Sequence, residues 1–377
     1  MSTRRFSKYP AWPAADCREH LADLRRAMER VLSGGQFILG HEVAMFEREF
    51  AESLAAGWHA VAVASGTDAI ELMLRALEIG HGDAVVVPDF APSAVAAAVE
   101  RAGCQVVLAE VEETTLTLCP QSLDRVLKSH HGQRVRAAIA VHLYGQPVDW
   151  AALAKVAEAH GIELLEDCAQ AHGACWQGRQ VGTLGRMAAF SFYPTKNLGA
   201  LGDAGAVVTA DADLAERLRQ LRQYGWQQRH ISSLRGGINS RMDELQAAIL
   251  RTKLPKMKAK AARRQALAAL YQELLPSTVR LPEVRSDCVH AWHQFVIRSG
   301  RRDALLDHLN ACCIPAAVLY PAPLHEQGAW PHEGRFCISD KAAREVLALP
   351  LHPSLDRQAI LRVAEVIHHF HHEPARA

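Results

Sequence analysis

The chain has 377 residues, of which 49% are hydrophobic and 22% charged, and a formal charge of +1 at pH 7. At about 150 residues per domain, this length fits two to three domains, or one large α/β domain with an appendage, and the composition excludes wholesale disorder. Lys+Arg 42 against Asp+Glu 41 leaves no electrostatic footprint for nucleic acid or an acidic membrane. No apolar run approaches the roughly 20 residues that a membrane span requires. The opening MSTRRFSKYPAWPAADC is basic but has no apolar core, unlike a secretory signal. Nine cysteines without a CxxC pair read as reduced thiols of a cytoplasmic protein.

In chain order, the first predicted element is a helix over 16–32, stopped by Gly34 and Gly35 and expected to pack across the larger body. Seven short β-rich runs follow: 60–64 (AVAVA), 84–87 (AVVV), 105–109 (QVVLA), 137–143 (AAIAVHL), 162–165 (IELL), 187–193 (MAAFSFY) and 205–209 (GAVVT). Several are apolar throughout, the mark of strands covered on both faces in a mostly parallel sheet. Between them, 67–79 reads as a helix opened by a Thr-Asp cap and followed by Gly80. A second helix over 149–160 opens on Asp149 and stops at Gly161. The repeated β-α-β pattern predicts an α/β sandwich with right-handed crossovers. After Gly237, helices are expected over 241–254 and 255–275, with Pro255 in the first turn of the second. A linker over 276–282 leads to strands at 291–297 and 316–320 and helices at 301–311 and 355–371. The expected division is a large α/β domain, 1–250, and a smaller α+β domain, 251–377.

The stretch from Leu164 to Asp203 carries the most chemistry. A strand ends on Glu166 and Asp167, and ligands of open α/β sheets bind outside the carboxyl ends of strands. The next strand delivers Ser191, then Thr195, Lys196 and Asn197 in a loop flanked by Pro and Gly. An acid that keeps a pyridine nitrogen protonated, hydroxyls for a phosphate and a lysine for a Schiff base are what a pyridoxal phosphate site requires. Ala64-Ser65-Gly66-Thr67-Asp68 adds a strand running into a helix, where small residues let backbone N–H groups approach an anion.

These segments resemble the DegT/DnrJ/EryC1/StrS sugar aminotransferases. The matching motifs are LGHEVAMFEREFA, VASGTDAIELMLRAL, GDAVVVP, AVHLYGQPVDW, EDCAQAHGA, SFYPTKNLGALGDAGAVVT, LRQYG, INSRMDELQAAIL and YPAPLHEQ. The resemblance implies a fold-type I α/β transferase that uses pyridoxal 5'-phosphate, with pyridoxamine phosphate as its intermediate. Lys196 would be the Schiff-base lysine and proton shuttle, Asp167 the partner of the pyridinium nitrogen, and Gln170 the contact to the ring hydroxyl. Gly66, Thr67 and Ser191 would cradle the phosphate, joined by Asn239 from the neighbouring subunit of a homodimer. Tyr320 and His325, in the proline-rich segment, are the substrate-side candidates. The partners implied are a nucleotide-linked ketosugar and the L-glutamate/2-oxoglutarate pair.

Two positions depart from the family pattern. Pro92 stands where an aromatic usually packs on the cofactor, with Phe90 two places earlier, and Leu319-Tyr320-Pro321 replaces His-Tyr-Pro. After the lysine, the loop reads NLGALGDAG rather than ending in Gly-Glu-Gly-Gly, as in enzymes that aminate C4. Asp203 in place of Glu is similar to the subgroup that aminates a 3-keto-6-deoxyhexose, with dTDP as the expected carrier. The alternatives are a 4-keto sugar or aminocyclitol aminotransferase, or a non-catalytic regulatory member. A dehydrase of the same fold would replace Lys196 with histidine. His172 could touch substrate or serve one layer back. The histidines of 366–377 read as a terminal helix rather than a metal site. The basic run 253–264 reads as a solvated helix face, and Cys168, Cys175, Cys312 and Cys313 as structural thiols.

Overall fold

The computed structural model describes residues 13–129, 134–332 and 334–372. Helices α1 (Pro13–Glu19) and α2 (Leu21–Gly34) replace the single helix expected at the start. The break falls at His20, which leaves helical φ/ψ, buries its ring and meets Lys256 Nζ at 2.9 Å. Next come α3 (His41–Leu54), β1 (His59–Val63), α4 (Gly66–Ala76), β2 (Asp83–Pro88), α5 (Ser93–Arg101), β3 (Gln105–Ala109) and α6 (Pro120–Ser129). They are followed by β4 (Arg134–Val141), α7 (Trp150–His160), β5 (Glu163–Asp167), the short β6 (Cys175–Trp176) and β7 (Arg179–Gln180), β8 (Met187–Ser191), β9 (Gly205–Thr209) and α8 (Ala212–Leu221).

All seven predicted β runs are strands of one sheet, in the order β1-β9-β8-β5-β4-β2-β3. Only β9 runs against the rest, antiparallel to both β1 and β8, while β8, β5, β4, β2 and β3 pair in parallel. Successive side chains alternate between two buried faces, as a sheet covered on both sides demands. Val61 and Val63 pack on one face with Ile70, Met73 and Leu218, while Ala60 and Ala62 pack on the other with Phe46 and Phe50. Because β9 is reversed, the β8–β9 connection is a loop at the carboxyl edge of β8, and that loop carries Lys196.

The chain continues through a hairpin of β10 (Trp226–Gln228) and β11 (Ile231–Ser232), then α9 (Glu244–Lys253) and α10 (Met257–Leu274). The last part holds β12 (Cys288–Val289), β13 (Phe295–Arg298), α11 (Arg302–Ala311), α12 (Cys337–Glu345), β14 (Val346–Leu349) and α13 (Arg357–His372). The strand expected at 316–320 does not form. Its backbone makes one bridge, Ala317 to Ala348, and it is β14 that pairs with β13. Ala247 and Leu250 of α9 belong to the sheet's core, whereas Leu267 and Tyr271 of α10 join a separate core with Phe295, Leu347 and Ile367. We propose that the chain changes domain at the α9–α10 junction, Leu254–Lys256, rather than inside α9 after residue 250.

Candidate active site

The carboxyl ends of β1, β5 and β8 open on the same edge of the sheet, and the space beyond that edge is the candidate recess. At the first, Ser65 is the N-cap of α4, its Oγ accepting from the Asp68 N–H at 3.1 Å. The cap is thus two residues earlier than the Thr-Asp signal suggested, and Thr67 lies inside the helix. A Cβ built on Gly66 would lie 2.6 Å from Ser191 Cβ, so a bare glycine is what lets the α4 N-terminus meet the end of β8. Gly205 is equally confined, since a Cβ there would lie 2.3 Å from the Ser65 carbonyl oxygen. Unpaired N–H groups at a helix N-terminus, beside a hydroxyl, make an anion cradle. Ser240 Oγ accepts from Ala64 N–H at 3.0 Å and donates to Asp68 at 2.7 Å, which ties the segment carrying Asn239 to this end of the sheet. The Asn239 side chain itself is exposed.

The two acids of β5 divide their work by strand alternation. Glu166 is fully buried and accepts from the N–H groups of Gly182 at 2.7 Å and of Leu184 and Gly185 at 2.8 Å. It also meets His142 Nε2 at 3.2 Å, while His142 Nδ1 accepts from Val148 N–H. Those bonds make His142 the Nε2–H tautomer and Glu166 a brace for the 182–185 loop. His142, Glu166 and Cys168 lie close enough to suggest a metal cluster, but the carboxylate is already spent on protein donors. Asp167 faces the recess. It is nearly as buried, yet among the described residues accepts only the Ala169 N–H, at 2.9 Å, and burial raises its pKa against the pull of that N–H, Lys196 and His142. A desolvated carboxylate with so little support favours a cation beside it.

The cation whose charge acts on it is Lys196. Burial lowers the Lys196 amine to about 8, with the Asp167 charge opposing the shift. An amine poised there has a useful unprotonated fraction at neutral pH and is a competent nucleophile. Its loop is pinned from several sides. Lys196 N–H donates to the Tyr193 carbonyl at 2.8 Å, Lys253 Nζ to the Gly199 carbonyl at 2.7 Å, and Asn197 Nδ2 to the Ala291 carbonyl at 2.9 Å. His293 stands 3.4 Å from Asn197 Oδ1. Asp203, further along the loop, is exposed.

Gln170 organises the wall. Its Oε1 accepts from Tyr144 N–H at 2.5 Å and its Nε2 donates to Tyr320 Oη at 2.7 Å, which leaves one amide hydrogen for a ligand. The Tyr320 ring stacks on Tyr144 at 5.8 Å and meets Phe90 edge-on at 6.1 Å. Phe90 is therefore buried support for Tyr320, and Pro92 is the residue that leads into α5. Leu319 packs against the large core. His325 differs from its expected substrate role. Its Nδ1 lies 2.8 Å from Asp89 and its Nε2 lies 3.2 Å from Asp340, and its ring stacks on Phe336. With Nδ1 bonded to Asp89 and Nε2 facing Asp340, it fastens the segment after Tyr320 to the end of β2. Sequence reasoning missed Tyr144, His142 and His293, and placed Asn197 in the lysine loop without giving it a role. The AVHLYGQPVDW motif contained the first two, but nothing in it announced the left-handed turn at Tyr144 (φ 58°) that aims its N–H at Gln170.

A model of the DegT/DnrJ/EryC1/StrS aminotransferase family matches residues 19–368. The chain belongs to that family. It is 43% identical over 377 residues to a dTDP-3-amino-3,4,6-trideoxy-alpha-D-glucose transaminase of Streptomyces venezuelae, covering 97% of each chain. It is 42% identical to a dTDP-3-amino-3,6-dideoxy-alpha-D-galactopyranose transaminase of Aneurinibacillus thermoaerophilus, covering 92% of this chain and 95% of that one. Among solved structures, S. venezuelae DesV in complex with a ketimine intermediate superposes with a TM-score of 0.92 at 42% identity, over 96% of this chain and 98% of the other. The α/β fold with its mostly parallel sheet is thus that of a pyridoxal-phosphate aminotransferase, and the family assignment makes the chain an enzyme of that class. The recess fits the cofactor: a bare-glycine anion cradle, a buried acid short of partners and a lysine of depressed pKa stand at adjacent strand ends.

Proposed function

We propose that this enzyme transfers an amino group from L-glutamate to C3 of a nucleotide-linked 3-keto-6-deoxyhexose, with dTDP as the carrier. The observation that carries the catalytic part is buried Asp167 acting electrostatically on half-buried Lys196, whose amine is depressed to about 8. The sugar part rests on the two dTDP-3-amino sugar transaminases that share 42–43% of its residues.

Pyridoxal phosphate, when bound, supplies an aldehyde and an electron-accepting ring. The α4 N-terminus with Gly66, Thr67 and Ser191 would hold its phosphate. Asp167 holds a proton at the ring nitrogen, because a buried carboxylate with one neutral hydrogen bond gains most from a cation. The remaining amide hydrogen of Gln170 would be available to the ring hydroxyl. Lys196, pinned through Asn197 and Gly199, takes the proton from the donor's Cα and returns it when the sugar is aminated. Tyr320 and Tyr144 form a rigid wall that excludes water on the sugar's side of the recess.

Asn239 would complete the phosphate site of a second copy. Its neighbour Ser240 is fastened to the α4 N-terminus of its own chain, so a two-fold axis passing there would bring both cradles together. Exposed Phe37, Ile38, Leu201, Tyr224 and Ile231 supply apolar surface for such a dimer. The test offers matched 3-keto and 4-keto dTDP-6-deoxyhexoses with glutamate and locates the new amine by NMR. Amination at C3 is expected. Efficient amination of the 4-keto compound alone would overturn the sugar assignment and leave the aminotransferase class standing.

A further inference from the structure

Behind the recess, between α3 and the start of α10, lies a second cavity of about 370 Å³. Phe50, Phe190, Leu254 and Met257 supply apolar walls, and exposed Ser53 and Lys258 mark an open mouth. A dry apolar cavity of about 150 Å³ already admits benzene, so this space is ample for a ring with a substituent. Half-buried Gln180 also lines the wall, but the buried polar group is His172, 2% exposed, with neither Nδ1 nor Nε2 hydrogen-bonded to any described residue. The ring is wedged against Phe190 at 5.4 Å and Phe192 at 5.5 Å, which fixes its orientation. Burial and the Lys196 charge hold its pKa down to about 3, so the imidazole is neutral at working pH. A neutral imidazole offers one acceptor nitrogen and one N–H. Buried polar side chains are otherwise hydrogen-bonded almost without exception.

We propose that this cavity is a binding site for a small neutral aromatic molecule carrying one hydroxyl or ring N–H, of the phenol or indole class, hydrogen-bonded to His172. The walls select for apolar rings, because no charged group faces a ligand in the depth of the cavity. The imidazole, with half-buried Gln180 the one other polar side chain lining the wall inside the mouth, selects for a ligand with few polar atoms, since further ones would be buried without a partner. Anions and sugars are disfavoured for the same reason, which separates this site from the substrate recess. The site adjoins the catalytic machinery: His172 is two residues beyond Gln170, and the Lys196 charge acts on its ring. The assignment does not depend on which sugar the enzyme aminates.

The experiment titrates the purified holoenzyme with 4-fluorophenol and with fluorobenzene, followed by ¹⁹F NMR. Saturable binding of 4-fluorophenol with a Kd of about 1 mM or below is expected, with fluorobenzene about tenfold weaker for want of the hydrogen bond. His172→Leu should abolish that preference, and Ala261→Phe, which fills the cavity from α10, should abolish binding of both. Crystals of the wild-type holoenzyme soaked with 4-bromophenol provide a readout independent of the variants' folding, and should show the bromine's anomalous peak in the cavity beside His172. The proposal is overturned by no saturable shift at about 10 mM phenol, by equal affinity of the two probes, by unchanged binding to a folded Ala261→Phe protein, or by bromine elsewhere.

Discussion

Gly66→Ala tests how tightly the anion cradle is built. The added Cβ would sit 2.6 Å from Ser191 Cβ, 3.2 Å from Ser191 Cα and 3.3 Å from Ser191 Oγ. Carbon atoms pack best at about 3.5–4.0 Å, so the α4 N-terminus and the end of β8 must part by about 1 Å. Neither side yields easily. Gly66 opens a helix whose next residues, Ala69, Ile70 and Met73, are buried, and Ser191 is locked in register with Gly205. Overpacking of this kind costs about 1–3 kcal/mol. The same movement widens the cradle, so cofactor affinity should fall about tenfold to a hundredfold. Gly34→Ala is the internal control: a Cβ there meets nothing within 4 Å at the last turn of α2, and the change should stabilise by up to about 1 kcal/mol. Urea unfolding of the apoprotein gives the first quantity, and fluorescence titration with pyridoxal phosphate the second. Unchanged affinity in a folded Gly66→Ala protein would refute the placement of the phosphate against this glycine.

Further outcomes follow from the charged groups. Cofactor capture by the apoprotein needs the free amine of Lys196, so its rate should climb with pH and level off above about 8, the depressed pKa. Asp167→Asn removes the charge that holds this pKa up, so the midpoint should move below 8 in stopped-flow absorbance; an upward shift would contradict the pairing. Glu166→Gln turns an NH₂ group toward backbone donors and should lower stability by about 2–4 kcal/mol in urea unfolding, and a loss below about 0.5 kcal/mol would discount the brace. Asn239→Ala should weaken cofactor binding while mixed dimers with Lys196→Ala subunits regain function at one of their two sites. Loss of complementation in a dimer of normal stability would count against the shared site.

The seven sheet strands were legible because they are short apolar runs bounded by Gly, Asp and Pro, and burial on both faces admits little else. The helix α3 was equally legible in principle, since Val43, Phe46 and Phe50 repeat at helical spacing and are all buried. Its sequence served only as a family motif. The 316–320 run misled because its apolar residues are split between two cores, Val318 toward one and Leu319 and Tyr320 toward the other, without a strand partner. At the site, the sequence placed acid, hydroxyl and lysine at strand ends. Strand alternation by itself could not say which of Glu166 and Asp167 faces the recess, since it fixes only that they face opposite ways; the choice of Asp167 came from the family motif alone. His325 shows the same limit in reverse: its motif promised a substrate contact, and the fold supplies Asp89 and Asp340 from elements distant in sequence.

The central claim is that Lys196 is the residue that engages the cofactor. Sodium borohydride reduction of the holoenzyme followed by peptide mapping tests it most directly. The expected result is a single pyridoxyl phosphate group on the peptide containing Lys196, absent from Lys196→Ala, with the label lost when glutamate is added before reduction. A stable label on Lys253, Lys260 or any other lysine, or none on a protein that still transaminates, would contradict the account.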